Sequence, residues 1–120
     1  MLPATISIAD KLTLFQQHWS PKAIADVNGQ SLKLVKFQGE FVWHHHDQAD
    51  ELFYVVRGEF TMQFREGDVL IRAGELIVVP RGVEHCPKAE DEVEVLLIEP
   101  LELRNTGNVS GSMTAEVEAI

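Results

Sequence analysis

Three histidines stand in a row at residues 44 to 46, the acidic residue Glu51 follows shortly after, and a further histidine, His85, lies far along the chain. Adjacent imidazoles have no use in a packed core, because each carries a polar nitrogen that needs a partner. In an extended strand successive side chains alternate faces, so His44 and His46 point one way while Trp43 and His45 point the other. Two imidazoles therefore converge. Glu51 follows the loop residues Asp47 to Asp50, at the mouth of the next strand, where its carboxylate can come beside the pair. His85 follows Pro80-Arg81-Gly82-Val83-Glu84, a turn that ends one strand and starts another. Three nitrogens and one oxygen held by rigid strands match what a divalent transition metal accepts. Neutral imidazole suits Fe, Ni, Cu, Co or Zn, and the carboxylate widens the set to Mn; Fe, Mn, Ni or Zn is the expectation here.

The elements that must position these donors read mostly as strands. Residues 7 to 17, SIADKLTLFQQ, space Ile8, Leu12 and Phe15 about one turn apart behind a Ser7 cap, which predicts one short helix. From Pro21 onward, short runs rich in Val, Leu, Ile and Phe are divided by Gly, Asn-Gly, Pro and charged pairs, the pattern of an antiparallel sheet protein. The segments are AIADV, a hairpin turn at Asn28-Gly29, SLKLVKF, a turn at Gly39, EFVWHHH, LFYVV, a turn at Gly58, FTMQF, a turn at Glu66-Gly67, VLIR, a turn at Ala73-Gly74, LIVVP and VEVLLIEP. So many strands in a short chain predict a barrel or a two-sheet sandwich. The reading divides the chain into a helical arm at 1–20, a β-barrel at 21–100 and a polar tail at 101–120, loosely ordered or lying across a neighbour.

Composition narrows the partners. With 120 residues, 45% of them apolar, the chain suffices for one domain with a modest core. The formal charge of -9, from 19 acidic and 10 basic residues, repels phosphate backbones and anionic lipid, so neither nucleic acid nor membrane is an expected partner. No stretch approaches the roughly 18 to 20 apolar residues of a membrane span, and the N-terminus lacks a basic region followed by an apolar run. The expected location is cytoplasmic. The single cysteine, Cys86, agrees with a reducing compartment.

The donors sit within two longer patterns, Gly39-x4-His44-x-His46-x4-Glu51-x6-Gly58 and Gly74-x5-Pro80-x-Gly82-x2-His85-x3-Ala89. These resemble the two signature motifs of the cupin superfamily and cover residues 39–89; the flanking text, such as DELFYVVRGEF and GELIVVPRGVEH, is similar to the small single-domain cupins. The resemblance implies an all-β double-stranded β-helix, or jelly roll, with a metal held inside by His44, His46, Glu51 and His85. The intermotif stretch Glu59 to Ala73, 15 residues, is short, as in microbial cupins with one domain.

Two departures stand out. The family's first motif usually has five residues between its glycine and first histidine, whereas here there are four; a frame using His45 and Asp47 would restore the count. That frame is rejected because it turns His44 and His46 away from the metal and exchanges a nitrogen ligand for a carboxylate. Ala89 stands where the second motif commonly ends in asparagine, so a polar group is missing from the cavity.

Other residues read as structural. His45 faces away as a partner for the helix or a second subunit, and His18 belongs to neither motif. Cys86 alternates away from His85's face and reads as a buried small side chain. Asp47 and Asp50 solvate the loop, with hydrogen bonds to the ligand histidines as the alternative. The run Ala89-Glu90-Asp91-Glu92 reads as an exposed turn. Parity places Val42, Phe53 and Val55 on the ligand face, and Arg57 and Arg81 at the rim, where either could meet an acid group or simply face solvent. Trp19, Phe41 and Trp43 exceed the aromatic area a small barrel leaves wet, which predicts a homodimer face.

The expected function is a metal-dependent enzyme acting on a small oxygen-donor organic ligand. Within the family the resemblance implies dioxygenase, isomerase or lyase chemistry, with Glu51 as ligand and as catalytic base. No independent acid–base pair is visible, because the other inward residues near the motifs read as apolar. The alternative is a non-enzymatic module that binds and senses a small metabolite. A metal that merely braces the barrel is the third reading.

Overall fold

The computed structural model describes residues 1–101 and 103–120. Among the described residues the helix is α1 (Ile8–Leu12) and the strands are β1 (Lys22–Val27), β2 (Gln30–Glu40), β3 (Glu51–Arg57), β4 (Glu59–Phe64), β5 (Gly67–Arg72), β6 (Leu76–Val79), β7 (His85–Pro100) and β8 (Glu118–Ala119). Ser7 caps α1 as expected, its side chain accepting from the Asp10 amide, but the helix ends five residues before Gln17.

The long strand β7 organises the rest. It pairs antiparallel with β2 from Phe37↔Val93 to Gln30↔Pro100, with β3 from Leu52↔Ile98 to Arg57↔Glu94, and near its start with β4 from Phe64↔His85 to Thr61↔Lys88. β5 adds to β4, β6 to β3, and β1 to β2 across the Asn28-Gly29 turn, where both residues take positive φ. The result is a rolled sheet whose inner face collects every second residue: Val35 and Phe37, Phe53 and Val55, Phe60 and Met62, Val93, Val95 and Leu97.

Strand β2 is buried on both faces. Its outer residue Leu34 packs with Leu12 and Phe15 of the arm, and the Lys36 ammonium donates to the carbonyls of Leu12 at 2.8 Å and Phe15 at 2.9 Å. A buried lysine thus caps the end of α1 and fastens the arm to the barrel.

Several expectations are corrected. Gly39 is not a turn but lies within β2 beside a bulge in β7, where Gln38 faces the three residues Glu90, Asp91 and Glu92. The acidic run therefore bows out of a continuous strand and does not reverse the chain. EFVWHHH is not a full strand: β2 stops at Glu40, and only His44 returns to the sheet, exchanging backbone bonds with His85 at 3.0 and 2.9 Å. Pro87, opposite this gap, has no N–H to extend the ladder. Residues 41 to 43 face only 86 and 87, and the extra residue shifts the parity. Phe41, not Val42, consequently shares the inner face with His44.

The C-terminal segment folds back onto the barrel. β8 pairs parallel with β1, Thr106 is buried, and Met113 packs on the main core. Trp19 is likewise buried and Phe41 stacks on it, so these two aromatics are covered within the chain; Trp43 lies under the Arg65 guanidinium at 3.8 Å. No helix among the described residues is long and apolar enough to cross a membrane.

Gly58 closes the β3–β4 turn with φ at +87°, and a Cβ there would stand 3.2 Å from the Glu92 carbonyl. Gly58→Ala is expected to destabilise the protein by about 1 to 3 kcal/mol, from left-handed strain plus backbone crowding. A lowered midpoint in urea with an unchanged slope is the measurement that checks it.

Candidate metal centre

His44, His46, Glu51 and His85 meet inside the barrel. One donor atom from each lies within 4.8 Å of all the others, and all four residues are buried. The two segments that carry them are stitched together beside the cluster. His44 and His85 share their backbone bridge, the Gly82 amide donates to the His46 carbonyl at 2.8 Å, and the Arg81 amide donates to Asp50 Oδ1 at 2.9 Å. The Arg81 side chain also meets Asp50, at 3.3 Å, so Arg81 is a staple between the loop and the turn and not a free cation at the rim. Neither it nor Arg57 lines the cavity. The rejected frame is excluded by geometry: His45 Nδ1 pairs with Asp47 at 2.7 Å, and the Asp47 side chain is largely exposed.

Two of the imidazoles are oriented by backbone. His44 Nδ1 lies 2.9 Å from the Val42 carbonyl and His85 Nδ1 lies 2.9 Å from the Val83 carbonyl. A carbonyl only accepts, so Nδ1 carries the hydrogen in both rings and Nε2 is left with a free lone pair. That arrangement suits a metal ligand. His85 Nε2, His46 Nε2 and Glu51 Oε1 are buried without a hydrogen-bonded partner. His46 Nε2 does approach Glu51 Oε1 to 3.2 Å, but the angle does not make a hydrogen bond, and proximity alone leaves both groups unsatisfied. Buried lone pairs converging on one point are costly unless a cation sits among them. The residues present fit a divalent metal.

Burial, with the neighbouring His85, lowers the pKa of His44 to about 4 and keeps its ring neutral, as metal binding requires. Burial pushes the Glu51 carboxyl up, but the Glu99 carboxyl and the His46 and His85 imidazoles facing it outweigh that and hold Glu51 below the usual carboxylate range.

Glu99 was not expected here. The β3–β7 register, Leu52↔Ile98, brings Glu51 and Glu99 side by side, and Lys33 Nζ reaches Glu99 Oε1 at 2.9 Å with both side chains almost fully buried. Burial and the Glu51 charge drive the Glu99 carboxyl well above its ordinary value. The Lys33 ammonium pulls the other way and is the weaker influence, so of the two adjacent carboxyls Glu51 is the one that ionises more readily, with Lys33 as the cation beside the pair. The interior near the motifs is therefore not wholly apolar. Parity could have found both residues: Glu99 continues the inward series Val93, Val95, Leu97, and Lys33 precedes Val35 and Phe37 on the same face.

Beside the donors is a narrow cavity of about 20 Å³, room for about one water. Its walls are Trp19, Val35, Phe37, Phe41, Phe53 and Leu97, with His44 and Glu51 at the polar end. Phe53 stands on the ligand face as expected, and Val55 is buried in the same core. Cys86 is fully buried, and burial raises its thiol to about 11, consistent with an inert small side chain. His18 binds Glu92 at 2.6 Å, away from the centre. Ala89 is packed in the core and offers no polar group.

A model of the cupin domain matches residues 33–99, which contain all four donors. The chain belongs to the cupin family. A cupin-2 domain containing protein from Shewanella frigidimarina NCIMB 400 is 48% identical to this cupin, with a TM-score of 0.78 over 79% of this chain and 93% of that one. The uncharacterized protein YdbB of Bacillus subtilis (strain 168) is 36% identical over 64 residues, 52% of this cupin and 57% of the relative. The 3-hydroxyanthranilate 3,4-dioxygenase of Ruegeria pomeroyi is also 36% identical, over 62 residues, 48% of this cupin and 34% of that enzyme. This cupin thus spans only about half or a third of the curated relatives it matches.

Two predictions follow from the charges. Free His44 titrates near 6.5 and the folded residue near 4, so the unfolded chain binds the extra proton between those values and metal-free stability falls as the pH drops through that window. The loss attributable to His44 is about 3 kcal/mol, and denaturation midpoints in wild type against His44→Asn check it. Lys33→Met leaves the carboxyl pair's charge buried and unbalanced, at a cost of about 3 to 5 kcal/mol. The double variant with Glu99→Gln is expected to recover part of that loss in a double-mutant cycle.

Proposed function

We propose that this cupin is a metal-dependent enzyme for a small, flat organic molecule that carries oxygen donors along one edge. The observation that carries the reading is the set of buried, unpaired donor atoms on His46, Glu51 and His85, with His44 oriented to join them. Those four residues would hold the ion, which fits Fe, Mn, Ni or Zn by donor type. When bound, it supplies Lewis-acid polarisation of a chelating oxygen and, if iron, reactivity toward dioxygen.

The protein's own share follows from position. Trp19, Phe37, Phe41 and Phe53 give the ligand aromatic faces and exclude bulk water. His44 and Glu51 meet its polar edge. Glu99, next to Glu51, has its carboxyl raised well above the ordinary range by burial and the Glu51 charge, a second carboxyl beyond Glu51 itself for acid–base work. The named substrate of the Ruegeria relative, 3-hydroxyanthranilate, is a flat ring of this kind, which supports dioxygenase chemistry ahead of isomerase or lyase chemistry.

Untagged protein is expected to hold one divalent ion per chain, and iron-loaded protein to consume oxygen with a catechol, a thiol or a 1,3-diketone. Binding that raises the melting temperature with no turnover of any ligand would support the non-enzymatic sensing module instead. His44→Ala with His46→Ala is expected to abolish metal binding and leave the fold intact, checked by elemental analysis and circular dichroism; unfolding would favour a bracing metal.

A further inference from the structure

The cavity beside the donors, at about 20 Å³, has room for about one water. An organic ligand reaches the donors only if part of the wall moves. Most of the wall is tied down, since Val35, Phe37, Phe53 and Leu97 lie on strands laddered through β7. Trp19 and Asn105 differ, because they come from the arm before β1 and from the segment after β7; the Trp19 amide donates to the Lys36 carbonyl of β2 at 2.9 Å, so the part free to move is the indole.

Trp19 takes φ of +60°, a left-handed backbone that a bulky residue keeps only when its surroundings over-determine it. The indole lies flat against Phe37 at 4.4 Å and Phe41 at 4.6 Å between ring centroids, and its Nε1 donates to the Gln38 carbonyl at 3.0 Å. Its own carbonyl accepts from Asn105 Nδ2 at 3.1 Å. That same Nδ2 donates to the Met113 carbonyl at 3.0 Å, while Asn105 Oδ1 accepts from the Ala115 amide at 3.0 Å. One side chain thereby joins the arm to the C-terminal segment.

The segment is also bound to the ligand loop. Asn108 exchanges bonds with the His45 backbone, donating its amide at 3.1 Å and accepting on Oδ1 at 2.9 Å. Gly107 passes so close that a Cβ there would overlap the His45 carbonyl and touch the His44 ring. The C-terminal segment is therefore a strap from the histidine loop to Trp19, and the indole it holds stacks on Phe41 and lines the cavity that His44 also lines.

We propose that Trp19 is the gate of the donor cavity and that Asn105 latches it, so that a ligand enters when the Asn105–Trp19 bond opens and the indole leaves Phe37 and Phe41. The inference rests on the reading that the cavity takes a small organic ligand. Its test uses neither metal nor substrate, so the two can fail separately.

The probe is diethyl pyrocarbonate, which carbethoxylates neutral imidazoles, applied to metal-free protein with the modified histidine located by peptide mass spectrometry. Asn105→Ala removes three side-chain bonds, of which the one to the Trp19 carbonyl belongs to the closed form alone; losing that bond is expected to speed modification of His44 about tenfold, while amide exchange along β7 stays at the wild-type rate. Trp19→Ala is expected to speed it at least as much. In a Trp43→Phe background, Asn105→Ala should also make Trp19 fluorescence more quenchable by acrylamide. If Trp19→Ala does not fold, Asn105→Ala decides alone, because it leaves the indole in place. Unchanged reactivity of His44 in Asn105→Ala overturns the gate. So does a parallel rise in β7 exchange, which would mean general loosening.

Discussion

The structure depends on one electrostatic constraint: four buried donor groups aim lone pairs at a common point within an apolar barrel. Three imidazoles and a carboxylate in that arrangement are tolerable only with positive charge among them or with protons shared between them. Much of the local architecture serves to hold that arrangement. The His44–His85 bridge, the Gly82–His46 bond and the Asp50–Arg81 staple fix the two donor segments to each other, and carbonyls of Val42 and Val83 set two of the rings.

A second layer of charge stabilises the first. Glu51 needs to be ionised, yet Glu99 lies against it on the neighbouring strand, and two buried carboxylates cannot both keep a full charge. The upward shift of the Glu99 carboxyl and the ammonium of Lys33 ease the conflict, and Glu51 faces the imidazoles. Stability comes from elsewhere, in the alternating apolar residues of β2, β3, β4 and β7 and in the arm fastened by Lys36. The long strand β7 belongs to both the core and the site.

Much of the site was legible because its information is local. The spacing of His44 and His46 puts both rings on one side whether the segment is a ladder or, as found, an irregular stretch with a single bridge. Ser7, Asn28-Gly29 and the Val- and Phe-rich runs name their own elements through capping, turn geometry and period-two burial. The bulge at residues 41 to 43 was not legible, because it depends on which residues of β7 lie opposite and on Pro87 lacking a donor. Its effect was to exchange Val42 for Phe41 at the cavity. Lys33 and Glu99 were overlooked for a different reason: they lie outside the motifs, and a charged residue near a strand end reads as solvated until its neighbours are known.

By itself, then, the sequence determined the strand-rich architecture, the family motifs and the four residues that cluster as candidate donors, since each rests on residue type and short-range spacing. Tertiary structure alone decided the partners: that Glu99 faces Glu51, that Trp19 and Phe41 turn inward, and that the segment after Pro100 folds back over His45 to reach Trp19. These contacts join residues tens of positions apart through strand register and bulges. A one-residue shift in either would move a side chain to the opposite face, and nothing in the neighbouring letters records which register prevails.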